Sequence, residues 1–232
     1  MLAPIPCHIQ PDSMYIPIIP AEDNLVCISD TLCDIMLFQP KYFEQNIPGS
    51  TNKIYVRKTI ANMLLEVAQS LPHGYKLKIY DAWRPYAVQK ALFDDYYHRL
   101  AQLPENQDKS TAELIEETMR FVSFPSEDPD QPFVHSTGGA VDLTLVDADG
   151  NELNMGTTFD DFTEAANTAY FENSSNYEVR NNRRILYNAM LSAGFTNYPA
   201  EWWHYDFGDR FWAATKLTNS IYQGIYTLHN SM

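Results

Sequence analysis

The sequence has no apolar run approaching the roughly 18 residues that span a bilayer, so no membrane helix is expected. Cysteine is scarce: Cys7, Cys27 and Cys33 are odd in number and contain no Cys-x-x-Cys pair. That excludes a disulfide-stapled secreted scaffold and a cysteine zinc knuckle, and the thiols read as free and buried. Basic residues are few, 16 Lys and Arg against 30 Asp and Glu, for a net charge of -14. Such a field repels phosphate backbones, so no nucleic acid and no anionic membrane is expected as a partner, whereas a zwitterionic or cationic small molecule is acceptable. The first residues carry no basic stretch and are broken by Pro4 and Pro6. No secretory signal is expected there, and the cytoplasm is the predicted compartment. Internal repeats and low-complexity segments are also missing.

What remains is the composition of a globular protein, 45% hydrophobic and 20% charged, with a high aromatic share of 13%. A chain of 232 residues suits one well-cored domain covering residues 1–232, with 1–24 as an irregular N-terminal extension. A short strand is expected around Asn24 to Ile28. Ile60, Leu64, Val67 and Leu71 recur on one helical face that Pro72 ends. Leu77 and Ile79 alternate with Lys76 and Lys78 in a strand running to Asp81. Pro85 then opens a helix over Tyr86 to Leu100 from its first turn.

A further helix is predicted over Thr111 to Val122 with Ser110 as its cap. The turn Gly138-Gly139 leads into a strand over Ala140 to Val146, with Val141, Leu143 and Leu145 on one face and Asp142 and Thr144 on the other. Helices are expected near Phe162 to Tyr170 and over Asn182 to Ala193, the second closed by Gly194. Glu201 to Phe207 and Ile221 to Thr227 read as strands. Helices bunched between separated strands point to an α+β fold with a mostly antiparallel sheet.

Two of the six histidines stand in informative surroundings. His135 precedes a glycine turn and the strand that carries Asp142, so the two side chains can converge on one cation. His204 follows Glu201 by three residues, which lets a carboxylate lie beside a metal without binding it. In a regular strand positions i and i+3 face opposite ways, so this pair needs a bulge or a twist. His135, Asp142 and His204 together offer three N/O ligands and leave a fourth position for water, the pattern of a catalytic zinc. Two imidazoles favour such a borderline metal over Mg²⁺ or Ca²⁺. Zinc there lowers the pKa of water towards ~7, with Glu201 as the base that takes the proton. His8, His73, His98 and His229 have no such surroundings and read as surface or packing residues. Asn173-Ser-Ser175 reads as a turn.

Four segments in this order make the chain similar to a known family: Asp81-Ala-Trp-Arg-Pro85, His135-Ser-Thr-Gly-Gly-Ala-Val-Asp-Leu-Thr144, Met155-Gly-Thr-Thr-Phe-Asp160 and Glu201-Trp-Trp-His-Tyr205. They resemble the D-alanyl-D-alanine dipeptidase family, in particular the VanX-type enzymes linked to vancomycin resistance. Asn182-Arg-Arg184 also matches, and the likeness spans roughly residues 25 to 215. It implies one Zn²⁺ per chain held by His135, Asp142 and His204, with Glu201 as catalytic base. It implies that Arg84 stabilises the oxyanion, a role a fixed guanidinium can fill with roughly 3–4 kcal/mol. It also implies that Asp160 receives the ammonium group of a small dipeptide; capping of a following helix is the competing role for Asp160 or Asp161.

One departure stands out. Phe133 lies two residues before His135, where the VanX-type enzymes carry Ser, and this puts fine specificity in question. Trp83, where some relatives have Tyr, is a milder change. The implied reaction is hydrolysis of D-Ala-D-Ala to two D-alanines. Two alternatives stay open: a murein D,D-carboxypeptidase or endopeptidase with the same site and a longer groove, and a zinc-binding module without catalysis. Turnover of a pentapeptide against the free dipeptide separates the first, and retention of Glu201 and Arg84 speaks against the second.

Overall fold

The computed structural model describes residues 2–13 and 15–228. It is an α+β arrangement around a sheet of five strands. In chain order the elements are β1 (Leu25–Cys27), α1 (Ile28–Thr31), β2 (Leu37–Phe38), α2 (Lys41–Glu44), β3 (Tyr55–Arg57) and α3 (Lys58–Ser70). Then come β4 (Lys76–Asp81), α4 (Tyr86–Ala101), α5 (Thr111–Thr118), β5 (Ala140–Val146), α6 (Tyr177–Ser192), β6 (Thr196–Asn197), β7 (His204–Asp206) and α7 (Arg210–Lys216). The main sheet runs β2-β4-β5-β7-β6 and is antiparallel except for β2 beside β4, while β1 and β3 form a separate antiparallel pair. Among the described residues no helix is long and apolar enough to cross a membrane.

The two faces of β5 explain how the sheet carries both a core and a site. Val141, Leu143 and Leu145 are fully buried in the main hydrophobic cluster with Ile60, Leu64 and Val67 of α3 and Leu186 and Met190 of α6. Because side chains alternate along a strand, Asp142 and Thr144 point the other way. They too are buried, so β5 is covered on both faces. Core burial here therefore fixes the register that aims Asp142.

Several local expectations hold. Ser110 caps α5 through a reciprocal capping box with Glu113. Gly194 follows α6 with φ of 103°, the left-handed turn that releases the chain into β6. Trp202 and Trp203 are both buried.

Other expectations are corrected. Pro85 is the N-cap of α4 rather than its first residue, and α5 ends at Thr118. The segment 162–170 is no α-helix: a 3-10 turn at Glu164–Ala166 is all the helix it holds. Phe162 packs against Tyr96 and Phe121 rather than along a helical face, and Tyr170 is exposed beside Phe171. Helix α6 begins at Tyr177, capped by the Asn176 side chain on Val179 N, so Asn182-Arg-Arg184 lies inside it. The strand over Glu201 to Phe207 shrinks to β7 because residues 202–203 form a turn. No strand forms over Ile221 to Thr227, since the backbone amides of Ile221 and Tyr222 are spent on Gly208 O and that of Ile225 on Ser136 O. The cysteines are free, but Cys7 and Cys33 are exposed and Cys27 half-buried. His8 is half-buried and His73 and His98 are exposed; His229 lies outside the described residues.

Candidate metal centre and substrate cavity

Strand register assembles the site. Asp81 on β4 pairs with Asp142 on β5, and Asp142 pairs with His204 on β7, so three polar residues stand in one row across the sheet. A register shift between Ile79 and Asp81 brings the carboxylate of Asp81 into that row. A bulge of this kind re-aims a side chain without ending the ladder.

His135 arrives from outside the sheet, on a 3-10 turn over Val134–Thr137. The two glycines after it are required. A Cβ on Gly138 would lie 2.5 Å from Leu25 Cδ2, and one on Gly139 would lie 2.4 Å from Phe207 O. The buried Arg57 anchors this turn by donating from Nε to Thr137 O at 2.6 Å, while its Nη2 donates to Gln223 O at 2.8 Å.

The donor atoms meet closely. His135 Nε2 lies 3.3 Å from His204 Nδ1 and 3.3 Å from Asp142 Oδ2, and His204 Nδ1 lies 2.9 Å from Asp142 Oδ1. All three residues are buried, and among the described residues they are a group whose donor atoms could hold a metal ion. Each imidazole is oriented by its other nitrogen. His135 Nδ1 donates to Ala82 O at 2.7 Å, and His204 Nε2 faces Asp206 Oδ1 at 2.8 Å. Such outer partners set which nitrogen is presented to a metal.

The charges call for a cation. Asp81, Asp142, Asp160, Glu201 and Asp206 surround the centre, with Arg84 as the fixed positive charge among them. Burial and the charge of Arg84 push His135 well below its usual pKa, which leaves Nε2 bare. Burial opposes a charge on His204, yet Asp206 and Asp142 outweigh it and hold its pKa well above the usual value. A divalent ion at Nδ1 would satisfy the same pull in place of a proton. The residues present fit such an ion.

Glu201 sits in the turn before β7, not in the strand, which resolves the facing problem of a carboxylate three residues from a histidine. Its Oε2 lies 3.8 Å from His204 Nδ1. Burial pushes its carboxyl up to about 8, with His204 pulling the other way. Arg84 is held on several sides: Nε donates to Asp81 Oδ2 at 2.9 Å, Nη1 to Gln89 Oε1 at 2.8 Å, and Nη2 to Tyr42 Oη and Asp142 Oδ2, both at 3.3 Å.

Asp160 is reached through the same tyrosine, whose hydroxyl donates to Asp160 Oδ1 at 3.4 Å. Burial, and then the charge of Asp142, raise the Asp160 carboxyl to about 7. Its backbone is left-handed, φ 59°, a conformation that Asp tolerates better than most residues. Asp161 takes a local role instead, accepting from Thr163 N at 2.8 Å. The loop carrying Asp160 is tied at both ends by the buried Arg183, which donates to Met155 O at 2.8 Å, Asn167 O at 2.7 Å and Ala165 O at 2.8 Å. Trp202 Nε1 adds a hydrogen bond to Thr157 Oγ1 at 2.8 Å.

Arg84, His135, Asp142, Asp160, Glu201 and His204 therefore all line one cavity, of about 740 Å³. Phe133 does not line it. The ring is 1% exposed and packed into the protein, so it is not among the side chains that the cavity presents. Trp83 is also buried, and its Nε1 donates to Ile225 O at 2.7 Å.

The family model described as D-ala-D-ala dipeptidase, Peptidase M15, matches residues 39–223. The chain belongs to this family. Its members are metallopeptidases, and the chain is thus a hydrolase of that kind. A D-alanyl-D-alanine dipeptidase of Synechocystis is 30% identical over 179 residues, covering 68% of this chain and 69% of the relative. One from Enterococcus faecalis is 34% identical over 163 residues, 66% of this chain and 73% of its own. One from Escherichia coli is 34% identical over 134 residues, 57% of this chain and 55% of its own.

Reading from sequence assigned no role to Asp81, Asp206, Tyr42 or Arg183, although Asp81 and Arg183 lie in the matching segments. Asp206 was accessible in principle, because it lies two residues from His204 and so shares its strand face. Tyr42 gave no signal, since it rests on the four-residue helix α2 far away in sequence.

Proposed function

We propose that this chain is a zinc-dependent D-alanyl-D-alanine dipeptidase, with one zinc held by His135, Asp142 and His204. The observation that carries the reading is that one donor atom from each of the three lies within 4.8 Å of the others, with the two imidazole nitrogens 3.3 Å apart and each 2.9 to 3.3 Å from an oxygen of Asp142. A tetrahedral zinc with ligand bonds of about 2.0–2.1 Å has ligand-to-ligand edges of about 3.3 Å. The set is two nitrogens and one carboxylate with no thiolate, which matches catalytic rather than structural zinc. When bound, zinc supplies a Lewis acid that makes water a nucleophile near neutral pH.

The chain's own groups do the rest. Asp160 takes the ammonium of the dipeptide and so positions the peptide bond within the cavity. Glu201 Oε2 accepts the proton of the attacking water and passes it to the departing amine nitrogen. Burial raises its pKa to about 8, which favours the return of the proton to the amine, while a cation at the neighbouring ligands would favour the deprotonated form that accepts it. Arg84 presents a guanidinium fixed by Asp81, Gln89 and Tyr42 to the negative charge that develops on the carbonyl oxygen. A donor that needs no reorganisation is worth roughly 3–4 kcal/mol to the barrier. The whole of residues 1–232 is taken as one catalytic domain. The cytoplasm is its proposed place of action, because free D-Ala-D-Ala is made inside the cell.

The direct test is release of D-alanine from D-Ala-D-Ala by purified protein, with a chelator and after zinc is returned. Release that stops with the chelator and recovers with zinc is expected. Release indifferent to the chelator would remove the metal from the account, and none at all from zinc-loaded protein would remove the dipeptidase reading.

A further inference from the structure

The cavity is much larger than two alanines need. At about 740 Å³ it lies in the range that houses drug-sized ligands, ~300–1,000 Å³. Its lining is of two chemical kinds. One is the polar cluster just described. The other is an aromatic and aliphatic wall from α4, α5, the segment just after α5 and the loop after Asp160. There Tyr96 meets Phe162 and Phe121 at ring-centroid distances of 5.0 and 5.4 Å, Phe121 meets Phe162 at 5.7 Å, and Ile115 and Met119 complete the lining. Met119 and Phe121 are 48% and 41% exposed. Large apolar side chains left open to water at the rim of a binding cavity gain by being covered. Arg99 stacks on Tyr96, centroid distance 5.5 Å, with its charge met by Asp95 at 2.9 Å.

The wall's position says which part of a substrate it faces. Phe162 is two residues beyond Asp160, and both line the same cavity. Resting on the proposal that Asp160 receives the ammonium group, the wall stands beside the first residue of the dipeptide. A peptide extended at that end would put an uncharged amide in place of the ammonium, leaving Asp160 with Tyr42 but without a cation.

We infer that the enzyme also hydrolyses dipeptides whose first residue carries a bulky apolar or aromatic side chain, seated against Tyr96, Phe121 and Phe162. The reaction is the same. Water adds hydroxyl to the carbonyl carbon and hydrogen to the amine nitrogen as the C–N bond breaks, giving a free bulky amino acid and D-alanine.

The test compares kcat/KM for D-Phe-D-Ala and D-Leu-D-Ala with that for D-Ala-D-Ala on the zinc-loaded full chain. A hydrophobic pocket discriminates by about 10-fold or more per methylene filled. Ratios above one are expected for at least one bulky dipeptide, with a fall of about 10-fold in Phe121→Ala. Dissociation constants from tryptophan fluorescence on Glu201→Ala protein give a readout free of turnover, and D-Phe-D-Ala should bind the tighter. Ratios below one with D-Ala-D-Ala well cleaved overturn the pocket alone, as does a ratio unmoved by Phe121→Ala. Faster cleavage of a pentapeptide ending in D-Ala-D-Ala assigns the space to a peptide chain and overturns it. No turnover of any dipeptide sinks this inference together with the dipeptidase reading.

Discussion

Two parts of the cavity are built in different ways. Around the candidate metal centre, Asp142 and His204 project from neighbouring strands whose backbones are hydrogen-bonded to each other and whose opposite faces form the core. Asp160 instead rides on a loop with almost no regular structure, and side chains hold it: Arg183 grips three carbonyls at its two ends and Tyr42 touches the carboxylate. A ladder distributes its strength over many bonds, while a loop tied by one guanidinium concentrates it in one. Under the proposed function, chemistry would rest on the stiff part of the fold and substrate choice on the part that a few changes could alter.

The comparison can be broken most severely at the base. Glu201→Ala should lower kcat by three or more powers of ten (roughly the scale of a lost acid–base group) and leave the metal in place. Atomic absorption on the variant checks the second half, and a variant that stays active removes Glu201 as the base. Next is the support behind the metal. Asp206→Asn keeps the size of the side chain but weakens the partner of His204 Nε2, and metal affinity should drop about 10- to 100-fold. A competition titration with a chromophoric chelator measures this, and an unchanged affinity would show that His204 needs no outer partner.

The loop end should respond differently. Arg183→Met removes the donors to Met155, Ala165 and Asn167, and KM should rise about 10-fold or more with metal content unchanged, a loss of roughly 1–3 kcal/mol in binding. A fall confined to kcat would place Arg183 with the chemistry instead.

The smallest effect concerns Glu172, whose carboxylate accepts from Arg184 Nε at 2.8 Å. That hydrogen bond holds its pKa below the usual value, with burial opposing. A depressed carboxylate contributes stability above its unfolded pKa, ~4.3, and loses it as the pH falls through the lower folded value. Arg184→Met should therefore cost about 1 kcal/mol at neutral pH and progressively less below ~4. Denaturant melts at both pH values check the sign.

How far all this was legible follows from where the information sits in the chain. The alternation over β5, the glycine turn after His135 and the glutamate before His204 are local patterns, so the convergence of His135, Asp142 and His204 could be anticipated. What joins Asp81 to that row is a register shift between strands, which no single stretch encodes. Strands of two residues such as β2 and β6 are too short to show a period. Helix α7 was missed although Asp209 accepts from both Phe211 N and Trp212 N as its cap. The helix expected over 162–170 failed for the opposite reason. Its aromatic residues suit a helical face, but Phe162 is used sideways against Tyr96 and Phe121 of the substrate cavity.

Zinc stoichiometry of the wild-type chain and of Asp142→Ala, after dialysis against a buffered free-zinc level, reaches the centre of the account most directly. One zinc per wild-type chain, and nearly none in the variant at the same free zinc, is the predicted result. Equal zinc in the two proteins would mean that the ion is held by some other set of side chains.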